Sequence, residues 1–73
     1  MSEDLRRRIL EFLSSNGERA TGEIANALGA DRRLVYYQLL LLASDGLIKK
    51  RKATQKVTMW CITDKGREIL MLR

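Results

Sequence analysis

Five basic side chains, Lys49, Lys50, Arg51, Lys52 and Lys56, fall within residues 47–63 (LIKKRKATQKVTMWCIT), a stretch that holds no acid. The whole sequence carries 14 basic and 9 acidic side chains. Outside this stretch nine basic side chains therefore face nine acidic ones, and the net charge of +5 resides here. Positive charge concentrated in this way attracts polyanions without reading them. Other chemistries lack their parts. There is no histidine, no Gly-rich phosphate loop and no carboxylate pair on one face, so catalysis is not expected. Cys61 is the single cysteine, which excludes an intramolecular disulfide and a Cys/His zinc site within one chain. No cofactor and no dedicated small-molecule ligand is expected.

The elements that must position these cations can be read from periodicity. With 45% hydrophobic and 32% charged residues, the 73-residue chain has the composition of an ordered domain, and its length allows one domain at most, taken as residues 1–73. A chain this short buries only ~60% of its unfolded surface, so modest stability is expected. Leu5, Ile9, Phe12 and Leu13 recur at helical spacing, giving a first helix at about 4–15, opened by Ser2 with Glu3 and Asp4 and ended by SSNG at 14–17. Thr21 is expected to cap a second helix at about 21–28, with Ile24, Ala25 and Leu28 inward and Gly29 following it. Asp31 caps the next helix, at about 31–45, whose Val35, Leu39 and Leu42 share one face up to the Gly46 stop signal.

A period of two then takes over. Thr58, Trp60 and Ile62 alternate with Val57, Met59 and Cys61; Leu47 to Arg51 supply the partner strand of a hairpin at about 47–62. Its loop, Lys52 to Lys56, lacks Gly, Pro, Asn and Asp, so a mobile tip is expected. Asp64 can cap a last helix at about 64–72 bearing Ile69, Leu70 and Leu72. No apolar run approaches the ~18 residues that span a bilayer, and no leader pattern opens the sequence, which predicts a cytoplasmic protein with no membrane partner.

The spacing Ala25–Gly29–Val35–Leu39 places a small residue at the helix crossing, a glycine in the turn and two plugs between helices. With ILEFL at 9–13, TGEIANALG at 21–29, RRLVYYQL at 32–39, DGLI at 45–48 and WCITDKG at 60–66, the chain resembles the winged helix-turn-helix superfamily over most of residues 5–70. It is most similar in kind to small single-domain bacterial, archaeal or viral transcription regulators. The resemblance implies a mainly α fold with a small β-hairpin (α+β): a three-helix core, a wing and a short C-terminal helix. It also implies double-stranded DNA as partner and transcription regulation as role, with the third helix in the major groove and the wing on the backbone or minor groove.

Carried onto this sequence, Arg32 and Arg33 stand where base edges are read, and one of them paired with guanine would supply ~1–3 kcal/mol of discrimination. At about 100° per residue, Arg33, Tyr36, Tyr37, Leu40 and Ser44 form the outward face, with Tyr37 favoured as the groove-facing ring. The amides at Thr21 and Gly22 offer a phosphate seat, and Lys49, Lys50, Arg51, Lys52 and Lys56 attract phosphates. The alternative for the wing lysines is solubility or edge protection. Arg6, Arg7 and Arg8 read as a solvated face paired with Glu3, Asp4 and Glu11. Trp60-x-Ile62 is also similar to Z-DNA-binding winged helices, from which this chain departs by lacking their third-helix asparagine and any proline.

Residues 39–42 are four leucines, where related helices place polar groups at two positions. Leu34 and Leu41 share a stripe that leaves the core face, and with Ile69, Leu70, Met71 and Leu72 they are expected to form homodimer contacts. Two other functions stay open: a protein-interaction adaptor using the leucine surface, and an architectural protein binding nucleic acid without sequence preference.

Overall fold

The computed structural model describes residues 2–72, in the order α1 (Ser2–Asn16), β1 (Arg19–Ala20), α2 (Thr21–Leu28), α3 (Arg32–Ser44), β2 (Ile48–Lys52), β3 (Thr58–Ile62) and α4 (Asp64–Met71). Helix α1 begins earlier than its periodicity indicates. The Ser2 cap and the pairing of Glu3 concern side chains outside the described residues. Gly17 closes α1 with a left-handed φ of 78° and donates its N–H to the Leu13 carbonyl at 3.0 Å.

The cap of α2 differs from expectation. Ala20 is the N-cap residue, and Glu23 Oε1 accepts from its backbone N–H at 2.9 Å. Thr21 lies inside the first turn, buried, and its Oγ1 accepts from Trp60 Nε1 at 2.8 Å. The hydroxyl that satisfies a buried indole N–H is unavailable to the helix end. Gly29, with φ 62°, lets the chain reverse, and Ala30 N–H then reaches back to the Ala25 carbonyl at 3.0 Å. Asp31 caps α3 by accepting from Leu34 N at 3.3 Å.

The cap of α4 and the strand β1 depart from the sequence expectation. Thr63, rather than Asp64, caps α4: its Oγ1 accepts from Gly66 N at 3.1 Å and donates to the Gly46 carbonyl at 2.7 Å. The helix therefore starts tied to the turn that ends α3. Strand β1 is a two-residue piece that joins the hairpin to make an antiparallel sheet of order β1-β3-β2. Its register sets Arg19 opposite Trp60 and Ala20 opposite Met59.

Ile9, Leu13, Ile24, Val35, Leu39, Leu42, Ile48 and Trp60 are fully buried and form one core shared by α1, α2, α3, β2 and β3. Leu70, expected in a dimer contact, is instead partly buried against this cluster. Gln38 is buried in α3 although polar, and its Oε1 has no hydrogen-bond partner among the described residues. The wing loop, residues 53–57, is organised by a side chain in place of glycine: Thr54 Oγ1 accepts from the amides of Lys56 and Val57 at 3.2 and 3.1 Å, and Ala53 N–H donates to the Val57 carbonyl at 2.9 Å. Among the described residues no helix is long and apolar enough to cross a membrane.

Candidate nucleic-acid interface

A groove runs between the start of α2, the first turn of α3 and the wing, lined by Arg32, Arg33, Tyr36, Lys52 and Lys56. The two arginines are exposed because Asp31 starts α3 just before them, so they precede the buried stripe at Val35. The Arg32 guanidinium lies over the start of α2, where a Cβ built on Gly22 would meet its Cζ at an ordinary contact distance of 3.8 Å. Glu23 and Asp31 also line the groove. Both acids are engaged, Glu23 with the Ala20 amide and Asp31 with the Leu34 amide. Among the described residues none of the four cations is in a salt bridge, so the groove presents net positive charge.

The aromatic wall is built from inside outward. Thr21 holds the fully buried Trp60, and Tyr36 meets the indole edge-on, with ring centroids 6.2 Å apart and an interplanar angle of 73°. Tyr36 keeps 43% of its surface exposed and lines the groove, whereas Tyr37 is 57% exposed and does not line it. Tyr36 therefore belongs to the wall of this groove, and Tyr37, the ring the sequence favours for the DNA groove, stands on the open outer face of α3. Tyr36 is drawn to the wing side by its indole partner, a contact no local pattern encodes.

The wing cations divide between two faces. Directly paired residues of neighbouring antiparallel strands point the same way. Lys50 opposite Trp60 and Lys52 opposite Thr58 share the groove-side face, while Lys49 opposite Cys61 and Arg51 opposite Met59 share the other. Arg51 is also taken by an acid from outside the wing: its Nη2 and Nε reach Glu18 Oε1 and Oε2 at 2.8 and 2.9 Å. The hydrogen bond from Arg51, followed by its charge, holds the Glu18 carboxyl below the usual range, and the same bond raises the Arg51 guanidinium. A stretch free of acids in sequence is therefore not free of them in space.

The α1 arginines and the apolar residues expected at a dimer contact lie away from the groove, whereas Thr21 lines it. Arg6 pairs with Asp45 at 2.9 Å, Arg7 pairs with Glu11 at 3.2 Å, and Arg8 donates to the Leu28 carbonyl at 2.8 Å. The arginine run thus fastens α1 to the ends of α3 and α2. The side chain of Thr21 is occupied by Trp60, which leaves only backbone amides for an anion there. Leu34, Leu41, Ile69, Met71 and Leu72 are exposed. No cluster of three or more potential metal ligands exists among the described residues.

Residues 1–51 match the helix-turn-helix domain family. Over 50 residues the chain is 40% identical to the major pilus subunit operon regulatory protein of Escherichia coli, a match that covers 68% of this chain and 65% of that protein, just under two thirds of its length. Among solved structures it is similar to the zinc-responsive MarR family member ZitR of Lactococcus lactis, with a TM-score of 0.80, 26% identity, and coverage of 90% of this chain and 46% of that one. The Zalpha domain of Carassius auratus PKZ, solved in complex with Z-DNA, shares the fold with a TM-score of 0.77 and 24% identity over 85% of this chain and 97% of that one.

Proposed function

Since the chain belongs to the helix-turn-helix domain family, we propose that it is a DNA-binding transcription regulator that reads duplex sequence through α3. The observation that carries this reading is the convergence of Arg32, Arg33, Lys52 and Lys56 on one groove whose acids are both engaged. With α3 in the major groove, Arg32 or Arg33 is placed to pair with a guanine edge, for ~1–3 kcal/mol of discrimination. Lys50, Lys52 and Lys56 supply phosphate attraction from the wing. The Escherichia coli relative's role at an operon supports regulation over packaging. The reading assigns the chain no reaction and places it in the cytoplasm.

A homodimer belongs to the same reading. Leu34, Leu41, Ile69, Met71 and Leu72 leave apolar surface uncovered, and two subunits would read half-sites ~34–36 Å apart. Sedimentation giving a monomer mass at tens of micromolar would remove the dimer. A second reading, recognition of left-handed duplex, is favoured by the likeness to nearly the whole of a domain solved with Z-DNA. The missing asparagine in α3 and the absence of proline weigh against it.

The test is fluorescence anisotropy of the purified protein with random-core duplexes and a left-handed duplex at several salt concentrations, with sequencing of the retained fraction. Enrichment of one motif with salt-dependent affinity supports the regulator. Affinity without enrichment makes it architectural, and no binding at low salt leaves the protein-interaction adaptor. Preference for the left-handed duplex selects the second reading.

A further inference from the structure

Glu18 and Arg51 meet across the sheet. Glu18 immediately precedes β1, and Arg51 lies on β2; these two strands flank β3 on opposite sides. Their two-pronged ion pair, at 2.8 and 2.9 Å, therefore passes over the Met59 and Cys61 face of β3, the face turned away from Trp60. One end is anchored to the body of the domain, because β1 leads directly into α2. The other end holds the outer strand of the wing, β2, which is an edge of the sheet among the described residues. An arginine fork on a carboxylate fixes direction as well as distance, unlike a lysine contact.

We propose that Glu18 is a positioning residue for nucleic-acid recognition: it straps the wing across β3 to β1, sets the angle at which Lys50 and Lys52 face the groove, and withholds Arg51 from phosphate contact. The inference rests on the DNA-binding reading of the groove. It divides the five wing cations by task, with Arg51 aligning the wing and lysines on the groove side meeting the backbone. Arg51 is suited to alignment because Glu18 already satisfies its Nε and Nη2 and its strand position faces away from the groove.

The experiment measures affinity for one duplex bound by the wild-type protein, as a function of salt, for Glu18→Gln, Arg51→Gln, the Glu18→Gln/Arg51→Gln double variant and the exchanged pair Glu18→Arg/Arg51→Glu. Both single variants are expected to weaken binding about two- to fivefold, the range of an exposed ion pair, without changing the slope of log affinity against log salt. The double variant, which keeps the wild-type net charge, is expected to bind no worse than either single one, and the exchanged pair to recover affinity. Thermal unfolding of each variant verifies that the fold is retained. The proposal is overturned if Arg51→Gln lowers the salt slope by ~0.9, the signature of a lost phosphate contact. It is equally overturned if Glu18→Gln tightens binding, which would make Glu18 a competitor of phosphate, or if neither single variant changes affinity. Failure of the wild-type protein to bind any duplex overturns the DNA-binding reading itself, and the strap with it.

Discussion

Replacing Gly66 with alanine puts a methyl group where the structure has no room. A Cβ there would overlap the Leu47 carbonyl oxygen and come within 2.7 Å of Ile62 Cγ1. The side chain of Ile62 can give a little, but a backbone carbonyl cannot rotate away. That carbonyl also accepts from Thr63 N–H at 3.0 Å, so moving it strains the bond that leads the chain into α4. Overpacking costs about 1–3 kcal/mol, and a weakened hydrogen bond adds about 1 kcal/mol. Alanine's better helix propensity recovers less than the ~1 kcal/mol of a helix interior, because Gly66 lies in the first turn. The net loss is then centred on about 2–3 kcal/mol, against a total stability of roughly 4–11 kcal/mol for a chain of this length.

At about 4–8 °C per kcal/mol for small domains, the midpoint should fall by about 8–24 °C. The assay is thermal unfolding followed by far-ultraviolet circular dichroism, with Gly22→Ala as the internal comparison. A Cβ on Gly22 meets only Arg32 side-chain atoms at an ordinary 3.8 Å, so that variant should melt within about 4 °C of the parent, corresponding to ~0.5 kcal/mol. If Gly66→Ala melts with the parent, the close packing of α4 on the base of the wing is refuted.

Thr21→Val removes the acceptor of the buried Trp60 N–H at nearly constant shape, and should cost about 1–3 kcal/mol in denaturant unfolding. Lys52→Gln and Lys56→Gln should each reduce the salt slope of duplex binding by about 0.9, while Lys49→Gln, on the far face, should leave it nearly unchanged. Because the Glu18 carboxyl lies below its ordinary value, its pairing with Arg51 is complete above that value and is lost only as pH falls through the lowered one. The Arg51 Nε–H resonance should therefore hold its position from pH 7 to pH 5 and move only in stronger acid. Movement near pH 6 would contradict the pairing.

Much of this arrangement was written in local patterns. Leu5, Ile9 and Leu13 mark α1; Asp31 and Gly46 bracket α3; and the alternation around Trp60 marks β3, because each signal spans one element and obeys one period. The outward setting of Arg32 and Arg33 follows from the register of Val35 and Leu39 in the same helix. What stayed hidden depends on distant partners or on very short elements. Two residues cannot display a period, so β1 left no trace beyond Arg19 and Ala20 themselves. Arg51 and Glu18 are 33 residues apart, Arg6 and Asp45 39 apart, and neither separation is encoded along a helix or strand. Thr63 and Asp64 are adjacent cap formers, and the choice between them is made by the Gly46 carbonyl that Thr63 also reaches. Gln38 lies just off the Val35–Leu39–Leu42 stripe, where a polar type reads as exposed although the packed helix buries it.

The contact between Trp60 and Tyr36 gives the protein an optical reporter of its own. Trp60 is the sole tryptophan, held dry by the core and pinned by Thr21, and one edge meets a ring that lines the cationic groove. Whatever displaces or stacks on Tyr36 alters the electrostatic surroundings of the indole without unfolding anything. Emission from the unlabelled chain should consequently distinguish occupancy of the groove from association through Leu34 and Leu41, and the same titration can be read in light and in mass.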